Sequence, residues 1–207
     1  MSINLPYDWK PRDYQWPLWE ALEGGTKRAV AVWHRRAGKD LTSLNWTIME
    51  AFRRVGLYWH VLPTYKQGRK IVWEGMTRDG RRFMDYWPEE AIVRRRDDEM
   101  TIWLANGSIW QVVGAENEED VNKLVGANPL GVTFSEYALQ VPAIWNFVRP
   151  ILAENEGWAL FIYTPRGRNH GYKLKQMAEK NPRWFFQSLN VDDTKAIKAE
   201  AIEHDRE

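Results

Sequence analysis

The stretch RAVAVWHRRAGKDLTS (residues 28–43) decides how the rest of the sequence is interpreted. It begins as a short apolar run suited to a buried strand, passes through a basic turn containing Gly38 and Lys39, and continues as a helical pattern. This is the context of the phosphate-binding pattern G-x-x-x-x-G-K-[ST], in which backbone N–H groups at a helix start converge on an anion. Two positions depart from the pattern, because Trp33 replaces the first glycine and Asp40 replaces the hydroxyl residue. The pattern alone is therefore weak, and a basic helix start is the alternative interpretation.

Apolar runs and helical patterns alternate along the rest of the chain. After the run at 28–33, further runs suited to buried strands occupy 57–63, 130–136, 157–164 and 183–191. Most are followed by a helical pattern, which predicts an α/β fold with a mostly parallel sheet and a ligand site at the carboxyl ends of its strands. Residues 91–115 alternate in the manner of strands around Asn106-Gly107, which predicts an inserted β-hairpin.

Composition limits the possible functions. The 207 residues include no cysteine, so disulfides, cysteine-bound zinc and a thiol nucleophile are excluded. No apolar signal core or membrane-length run is present, and the sequence predicts a soluble intracellular protein with no membrane partner. A net charge of +1 neither requires nor excludes nucleic acid. The 13 tryptophans are interpreted mainly as packing residues, with a base-stacking surface as the minority alternative.

Two further features favour a nucleotide site. Arg35 and Arg36 add cations beside Lys39, a repulsive arrangement unless an anion lies there. The run at 130–136 ends in Ser135 and Glu136, and a nucleotide hydrolase needs such a strand-end carboxylate to orient the attacking water. Ser135 stands where an aspartate is usual. We therefore hypothesise that the Mg²⁺ ligands have exchanged sides, with Asp40 and Ser135 holding the metal directly or through water.

Several motifs, in the expected order, resemble the N-terminal ATPase domain of the terminase large subunits of tailed bacteriophages. They are PRDYQ (11–15), HRRAGKD (34–40), VLPTYKQGRKIVW (61–73), GANPLGVTFSEYA (126–138) and FIYTPRGRNHGY (161–172). The resemblance covers about residues 11–195 and implies a P-loop NTPase fold of the RecA-like (ASCE) class, with a mostly parallel sheet flanked by helices. It also implies ATP as substrate and Mg²⁺ as cofactor.

The resemblance assigns roles to individual residues. Glu136 and Arg35 are the expected catalytic residues, and Thr164 is the hydroxyl of the coupling motif. Gln15 would recognise the adenine edge, with Tyr14 beside it, and Arg35 and Lys39 would contact the outer phosphates. The remaining expected ATP-binding residues are Arg36, Ala37, Gly38, Asp40 and Leu41.

The resemblance also predicts organisation and partners. Residues 1–190 would form the motor domain, and 191–207 a charged helical tail that starts the linker to a nuclease domain absent from this chain, so no nuclease activity is expected. The expected partners are double-stranded DNA, the portal protein of the procapsid and the small terminase subunit. The subunits would form a ring during packaging, with the isolated domain a monomer. The location would be the host cytoplasm, and transiently the portal.

Some questions remain open in the sequence. Val125 stands where related motors often carry an arginine that completes the site of a neighbouring subunit. The remaining candidates for such a trans-acting residue are Lys123, Arg149, Arg166 and Arg168. The basic run at 94–96 is a candidate DNA surface, with a charged strand edge as the alternative. Two other functions are considered: the first lobe of a superfamily-two helicase, and a nucleotide-binding assembly module that does not hydrolyse ATP.

Overall fold

The computed structural model describes residues 6–196, and an eight-stranded sheet forms its centre. The strand order is β3-β4-β5-β2-β6-β7-β1-β8. The strands are β1 (Arg28–Trp33), β2 (Leu57–Leu62), β3 (Ile92–Arg96), β4 (Thr101–Leu104), β5 (Ile109–Gly114), β6 (Pro129–Ser135), β7 (Trp158–Tyr163) and β8 (Phe185–Leu189).

The sheet is parallel except at one edge. β1 lies between β7 and β8, and the parallel series continues through β6 and β2 to β5. Only β3, β4 and β5 pair in antiparallel fashion, with Asn106 and Gly107 in the β4–β5 turn, where Gly107 has a φ of +95°. The predicted mostly parallel sheet with an inserted hairpin is confirmed, and β5 extends the parallel part.

Helices cover both faces of the sheet. The helix α2 starts at Lys39, so the turn at 34–38 joins the end of β1 directly to a helix N-terminus. The helix α1 precedes β1, and the segment after β2 forms only one α-turn followed by a π-helical turn at Arg69–Trp73. The helices are α1 (Trp16–Glu23), α2 (Lys39–Arg53), α3 (Tyr65–Gly68), α4 (Glu118–Asn122), α5 (Ala143–Glu154), α6 (His170–Lys180) and α7 (Val191–Thr194).

Alternation along the strands separates two apolar cores. On β2, Tyr58 and Leu62 point into the core beneath α2, whereas Trp59 and Val61 point into the core beneath α5. Both cores are needed because a parallel sheet is buried on both faces. The largest fully buried side chains include four tryptophans, so the packing interpretation holds for these residues: Trp33, Trp59, Trp87 and Trp110.

The predicted division at residue 190 falls just after β8 and before the short helix α7. Residues 197–207 of the predicted helical tail lie outside the described residues, and the division itself stays a prediction. Among residues 6–196, no helix combines the length and the apolar character needed to cross a bilayer.

Candidate nucleotide site

The first departure from the phosphate-loop pattern has a structural reason. Trp33 is the last residue of β1, not a loop residue, and its side chain is fully buried in the core beneath α2. Its ring packs edge-on against Tyr14, and its Nε1 donates to Gln187 Oε1 at 3.1 Å. Because the backbone at this position is extended, glycine is not required there.

The loop turns through two residues in the left-handed region. Arg36 has a φ of +70° and Gly38 a φ of +79°. The positive φ favours glycine at position 38, and a Cβ there would lie 2.9 Å from Gln15 Nε2 and displace that side chain. Arg36 carries a conformation that costs a non-glycine residue about 1–3 kcal/mol, of the kind found at functional sites. Arg35 and Arg36 are both exposed.

Lys39 bridges the ends of β1 and β7. Its Nζ donates to the carbonyl oxygens of Trp33 and His34, both at 3.1 Å, and to Thr164 Oγ1 at 3.2 Å. Burial lowers the pKa of Lys39, while the charges of Glu136 and Asp40 oppose this shift. The ammonium group is therefore held at the carboxyl edge of the sheet, next to two acids.

Asp40 and Ser135 meet across this edge. Ser135 Oγ donates to Asp40 Oδ1 at 2.5 Å, and Ser135 is almost fully buried. Burial alone would raise the pKa of Asp40, but contacts with His60, Ser135 and Lys39 outweigh it and hold the pKa below its usual value. The two residues that depart from the usual pattern thus form one carboxylate–hydroxyl pair, joining the start of α2 to the end of β6.

Glu136 follows Ser135 with a φ of +53° and is half-buried. Its Oε2 is buried without a hydrogen-bond partner among the described residues. Burial raises the pKa of Glu136, the charge of Asp40 raises it further, and the charges of Lys39 and Arg166 oppose the shift. Glu136 therefore lies at the same edge of the sheet as Lys39, close enough for the charge of each residue to shift the pKa of the other.

Gln15 and Tyr14 both contact the loop. Gln15 is only 2% exposed, and its Nε2 donates to the carbonyl oxygen of Ala37 at 2.8 Å while its Oε1 accepts from the backbone N–H of Arg12. The Tyr14 hydroxyl donates to the same Ala37 carbonyl at 3.2 Å. The glutamine therefore restrains the phosphate loop. Adenine recognition by Gln15 stays a prediction.

The candidate trans-acting residues differ in their surroundings. Arg166 lies close enough to Glu136 of its own chain to lower the pKa of that carboxyl. Lys123 forms ion pairs with Glu119 and Asp120 at 3.5 and 3.1 Å. Arg149, on α5, and Arg168, in the loop after β7, are exposed. The trans-acting role of each of these residues stays a prediction.

The basic run at 94–96 lies on β3, the outermost strand of the sheet. Arg95 pairs with Asp97 at 2.6 Å, and Arg96 pairs with Asp98 at 3.0 Å and Glu99 at 2.7 Å. Arg94 stacks over the ring of Trp103. This local neutralisation favours the alternative interpretation, a strand edge protected by charge.

Two buried residues at the site were not singled out by the sequence. His60 is fully buried on β2, and its Nε2 lies 3.5 Å from Asp40 Oδ1. Gln140 donates to the carbonyl oxygens of Ser135 and Val61 at 2.7 and 2.9 Å, fixing the end of β6. Neither belongs to a motif. The only sequence signal for His60 is its position within an otherwise apolar strand.

The topology and the site together define a class of protein. The loop strand β1 is separated from the acid-ended strand β6 by one strand, β7, and the loop, the acid and the β7 end share the carboxyl edge of a parallel sheet. This is the fold of the P-loop NTPases of the RecA-like class.

Comparison with known proteins gives the relationship in more detail. No family model matches the chain. It is 28% identical over 160 residues to the terminase large subunit of Thermus phage G20c, a match covering 72% of this chain and 33% of that protein. The chain thus aligns with about one third of the length of this relative.

Solved structures agree with the sequence match. The large terminase ATPase domain of Thermus phage P74-26 superposes with a TM-score of 0.78 at 21% identity, covering 96% of this chain and 88% of that one. The large terminase of another thermophilic bacteriophage, in complex with ATP-γ-S, gives a TM-score of 0.69 at 13% identity, covering 95% and 49%. The resemblance to terminase large subunits that the motifs indicate is therefore confirmed, and the fold is that of their ATPase domains.

Proposed function

We propose that this chain is the ATPase motor domain of a phage terminase large subunit, hydrolysing ATP to move double-stranded DNA into a procapsid. The observation that carries the proposal is that the side chains a nucleotide hydrolase needs lie together. Lys39, the Asp40–Ser135 pair, Glu136 and Thr164 come from three separate segments and meet at one edge of the sheet. The similarity to terminase large subunits supplies the biological setting.

The loop is suited to a triphosphate. The amides of residues 36–41 lie at or just before the N-terminus of α2, where backbone N–H groups and the helix dipole favour an anion. Lys39 Nζ now donates to two carbonyl oxygens and a hydroxyl, and phosphate oxygens are stronger acceptors for the same protons. Arg35 is exposed beside the loop and could offset charge developing on the γ-phosphoryl group.

The residues present fit Mg²⁺. Asp40 is held in its charged form beside the hydroxyl of Ser135, and such hard oxygen ligands suit this ion. Among the described residues no group of three or more His, Asp or Glu side chains could hold a metal alone. In the proposed site, phosphate oxygens and water would supply the remaining ligands of the ion. When bound, the ion would neutralise charge on the outer phosphates.

Glu136 is the residue suited to act on water. Its buried Oε2 is unpartnered among residues 6–196, and its raised pKa makes it a better proton acceptor than an ordinary carboxylate. We infer that it orients the attacking water and takes its proton. Thr164 Oγ1 accepts a hydrogen bond from Lys39 and lies 3.4 Å from the carbonyl oxygen of Trp33. If a phosphate drew Lys39 away, Thr164 would lose this hydrogen bond, and the end of β7 could shift.

The remaining proposals follow from the resemblance to terminase large subunits. A packaging motor requires double-stranded DNA, the portal of a procapsid and a small terminase subunit as partners, in the host cytoplasm. Head-to-tail contacts would close several copies into a ring, in which a neighbour completes each site. DNA would be held through its phosphates, so its affinity would fall with salt.

The deciding experiment measures ATP turnover and ATP binding by the full chain, with DNA and procapsid, for the wild type and Glu136→Gln. We expect turnover to fall by at least about 100-fold while ATP affinity changes little, because the substitution removes a base and keeps the side-chain volume. Glu154→Gln, at the exposed end of α5, is the matched control and should behave as the wild type. ATP binding without turnover in the wild type, with all partners present, would instead favour the non-hydrolysing assembly module.

A further inference from the structure

We propose that His60 is a positioning residue for Asp40, holding one carboxylate oxygen so that the other is free to serve the metal. This inference rests on the proposed function, because it concerns how the ATP site binds Mg²⁺. The residue lies on a strand outside the phosphate loop, the acid-ended strand and the coupling segment.

The ring of His60 is fixed in place by its surroundings. His60 is fully buried near the middle of β2, opposite Val112 of β5 and Thr133 of β6 in the sheet register. Its ring contacts Trp110 edge-on, with the ring centres 6.4 Å apart. Like Tyr58 and Leu62, it occupies the face of β2 that packs beneath α2, the helix whose first turn carries Asp40.

Both ring nitrogens are buried without a hydrogen-bond partner among the described residues. An unpartnered buried polar group is costly, so an imidazole kept in an otherwise apolar core needs a compensating contact. The carboxylate of Asp40 supplies one, with Oδ1 lying 3.5 Å from Nε2. In the described chain this is the one charged group within ion-pair distance of the ring.

The two oxygens of Asp40 are used differently. Oδ1 accepts a hydrogen bond from Ser135 Oγ and also faces His60 Nε2 at 3.5 Å, so groups on two neighbouring strands approach the same oxygen atom. Within residues 6–196 no side-chain hydrogen bond reaches Oδ2. A carboxylate fixed through one oxygen presents the other in a defined direction, as the supporting hydrogen bonds of metal ligands generally do.

The separation of 3.5 Å exceeds an ordinary hydrogen bond. Contacts of this kind are often long before the substrate binds and shorten in the complex. A threonine or serine at position 40, as in the usual phosphate loop, would need no such support, because a hydroxyl has only one oxygen to direct. His60 therefore complements the particular departure at Asp40.

The test compares two substitutions of His60 with a neighbouring control. His60→Gln retains an N–H donor near the Nε2 position, and His60→Leu removes it. Thr133→Val is the control, since Thr133 is the register neighbour of His60 on β6, is fully buried, and has an Oγ1 without a partner in the described residues. Fluorescent-nucleotide binding is measured against Mg²⁺ concentration and again in EDTA, together with ATP turnover.

We expect His60→Leu to raise the half-saturating Mg²⁺ concentration roughly tenfold or more, the loss expected for one hydrogen bond to a charged group. Nucleotide affinity in EDTA should stay unchanged, and His60→Gln should recover most of the loss. Thr133→Val should match the wild type. A wild-type response to Mg²⁺ in folded His60→Leu would overturn the proposal.

Nitrogen NMR on ¹⁵N-histidine protein gives a readout independent of activity and of the folding of His60→Leu. The wild type should carry a proton on Nε2 of His60, and Asp40→Asn should shift that signal. A proton on Nδ1 alone, or no shift, would refute the contact. Failure of the wild type to bind Mg²⁺-ATP would overturn the proposed function, and this inference with it, whereas a normal wild type with a normal His60→Leu would overturn only the inference.

Discussion

Exchanging the side chains at positions 40 and 135 tests the proposed metal site directly. The single variants are Asp40→Thr and Ser135→Asp, and the double variant combines them. The structure has one carboxylate and one hydroxyl in contact at 2.5 Å. Each single change destroys this complementarity, leaving either two hydroxyls or two carboxylates, and the double change restores it with the groups on opposite elements.

The size of the effect follows from the contact. A hydrogen bond to a charged group is worth about 1.5–3 kcal/mol, and each 1.36 kcal/mol is tenfold in rate. Each single variant should therefore lose roughly ten- to 150-fold in Mg²⁺-dependent turnover. Two adjacent carboxylates also raise the pKa of one of them, so Ser135→Asp should bind Mg²⁺ with a marked pH dependence.

The double variant should return to within about tenfold of the wild type, because the hydroxyl introduced at 40 can donate to the carboxylate introduced at 135. Recovery stays incomplete because the charge moves away from His60, which lies 3.5 Å from Asp40. The assay is ATP turnover against Mg²⁺ concentration for all four proteins. Asp40→Thr combined with Thr133→Val is the control and should show no recovery. A double variant no faster than the slower single variant would refute the exchange.

Three further predictions concern other residues of the site. Glu136→Gln should melt at a higher temperature than the wild type at pH 8, because the raised pKa of Glu136 means that the fold disfavours the charged carboxylate. The difference in melting temperature should disappear as the pH falls toward the ordinary glutamate pKa of about 4.3. The same difference at every pH would contradict this prediction. Gln15→Ala should weaken binding of inorganic triphosphate by roughly two- to tenfold, since the bond from Gln15 to the Ala37 carbonyl restrains the loop even without adenine; unchanged binding by calorimetry would show that the restraint is unimportant. Mixing Arg166→Ala subunits with Glu136→Gln subunits, on DNA and procapsid, should not restore ATP turnover, because Arg166 lies near Glu136 of its own chain. Restored turnover would show that Arg166 acts on the site of a neighbouring subunit.

The fold could be predicted because its signals are local and repeated. Apolar runs the length of strands, each followed by a helical pattern, correctly indicate a mostly parallel sheet, and Asn106-Gly107 indicates the hairpin. The run at 28–33 predicts a strand that ends at Trp33, and β1 does end there, so the missing first glycine of the phosphate-loop pattern does not count against the loop. The loop is shorter than the pattern assumes.

Contacts between distant segments could not be predicted at the same level. The chemistry of Asp40 and Ser135 suggests that they share a metal site, but the sequence does not show that their side chains are in direct contact. The ion pairs of Arg95 and Arg96 with Asp97 and Asp98 depend on the geometry of the turn that follows β3, which the sequence pattern does not show. The motif gives Gln15 a role at adenine, which stays a prediction, but it gives no sign of the hydrogen bonds that tie the Gln15 amide to Arg12 and Ala37.

His60 shows why sheet register carries information that a motif search misses. The residue is separated by twenty positions from Asp40 and belongs to a strand that looks like ordinary core, so in sequence it is one scattered histidine among 4. Pairing β2 beside β6, with α2 across the same face, turns it toward the one residue of the loop whose chemistry departs from the usual hydroxyl. A carboxylate in place of a hydroxyl must be kept charged and directed within a buried setting, which an added donor achieves. The substitution at 40, the hydroxyl at 135 and the imidazole at 60 are therefore best understood as one linked change, which single replacements should disrupt and combined replacements should partly restore.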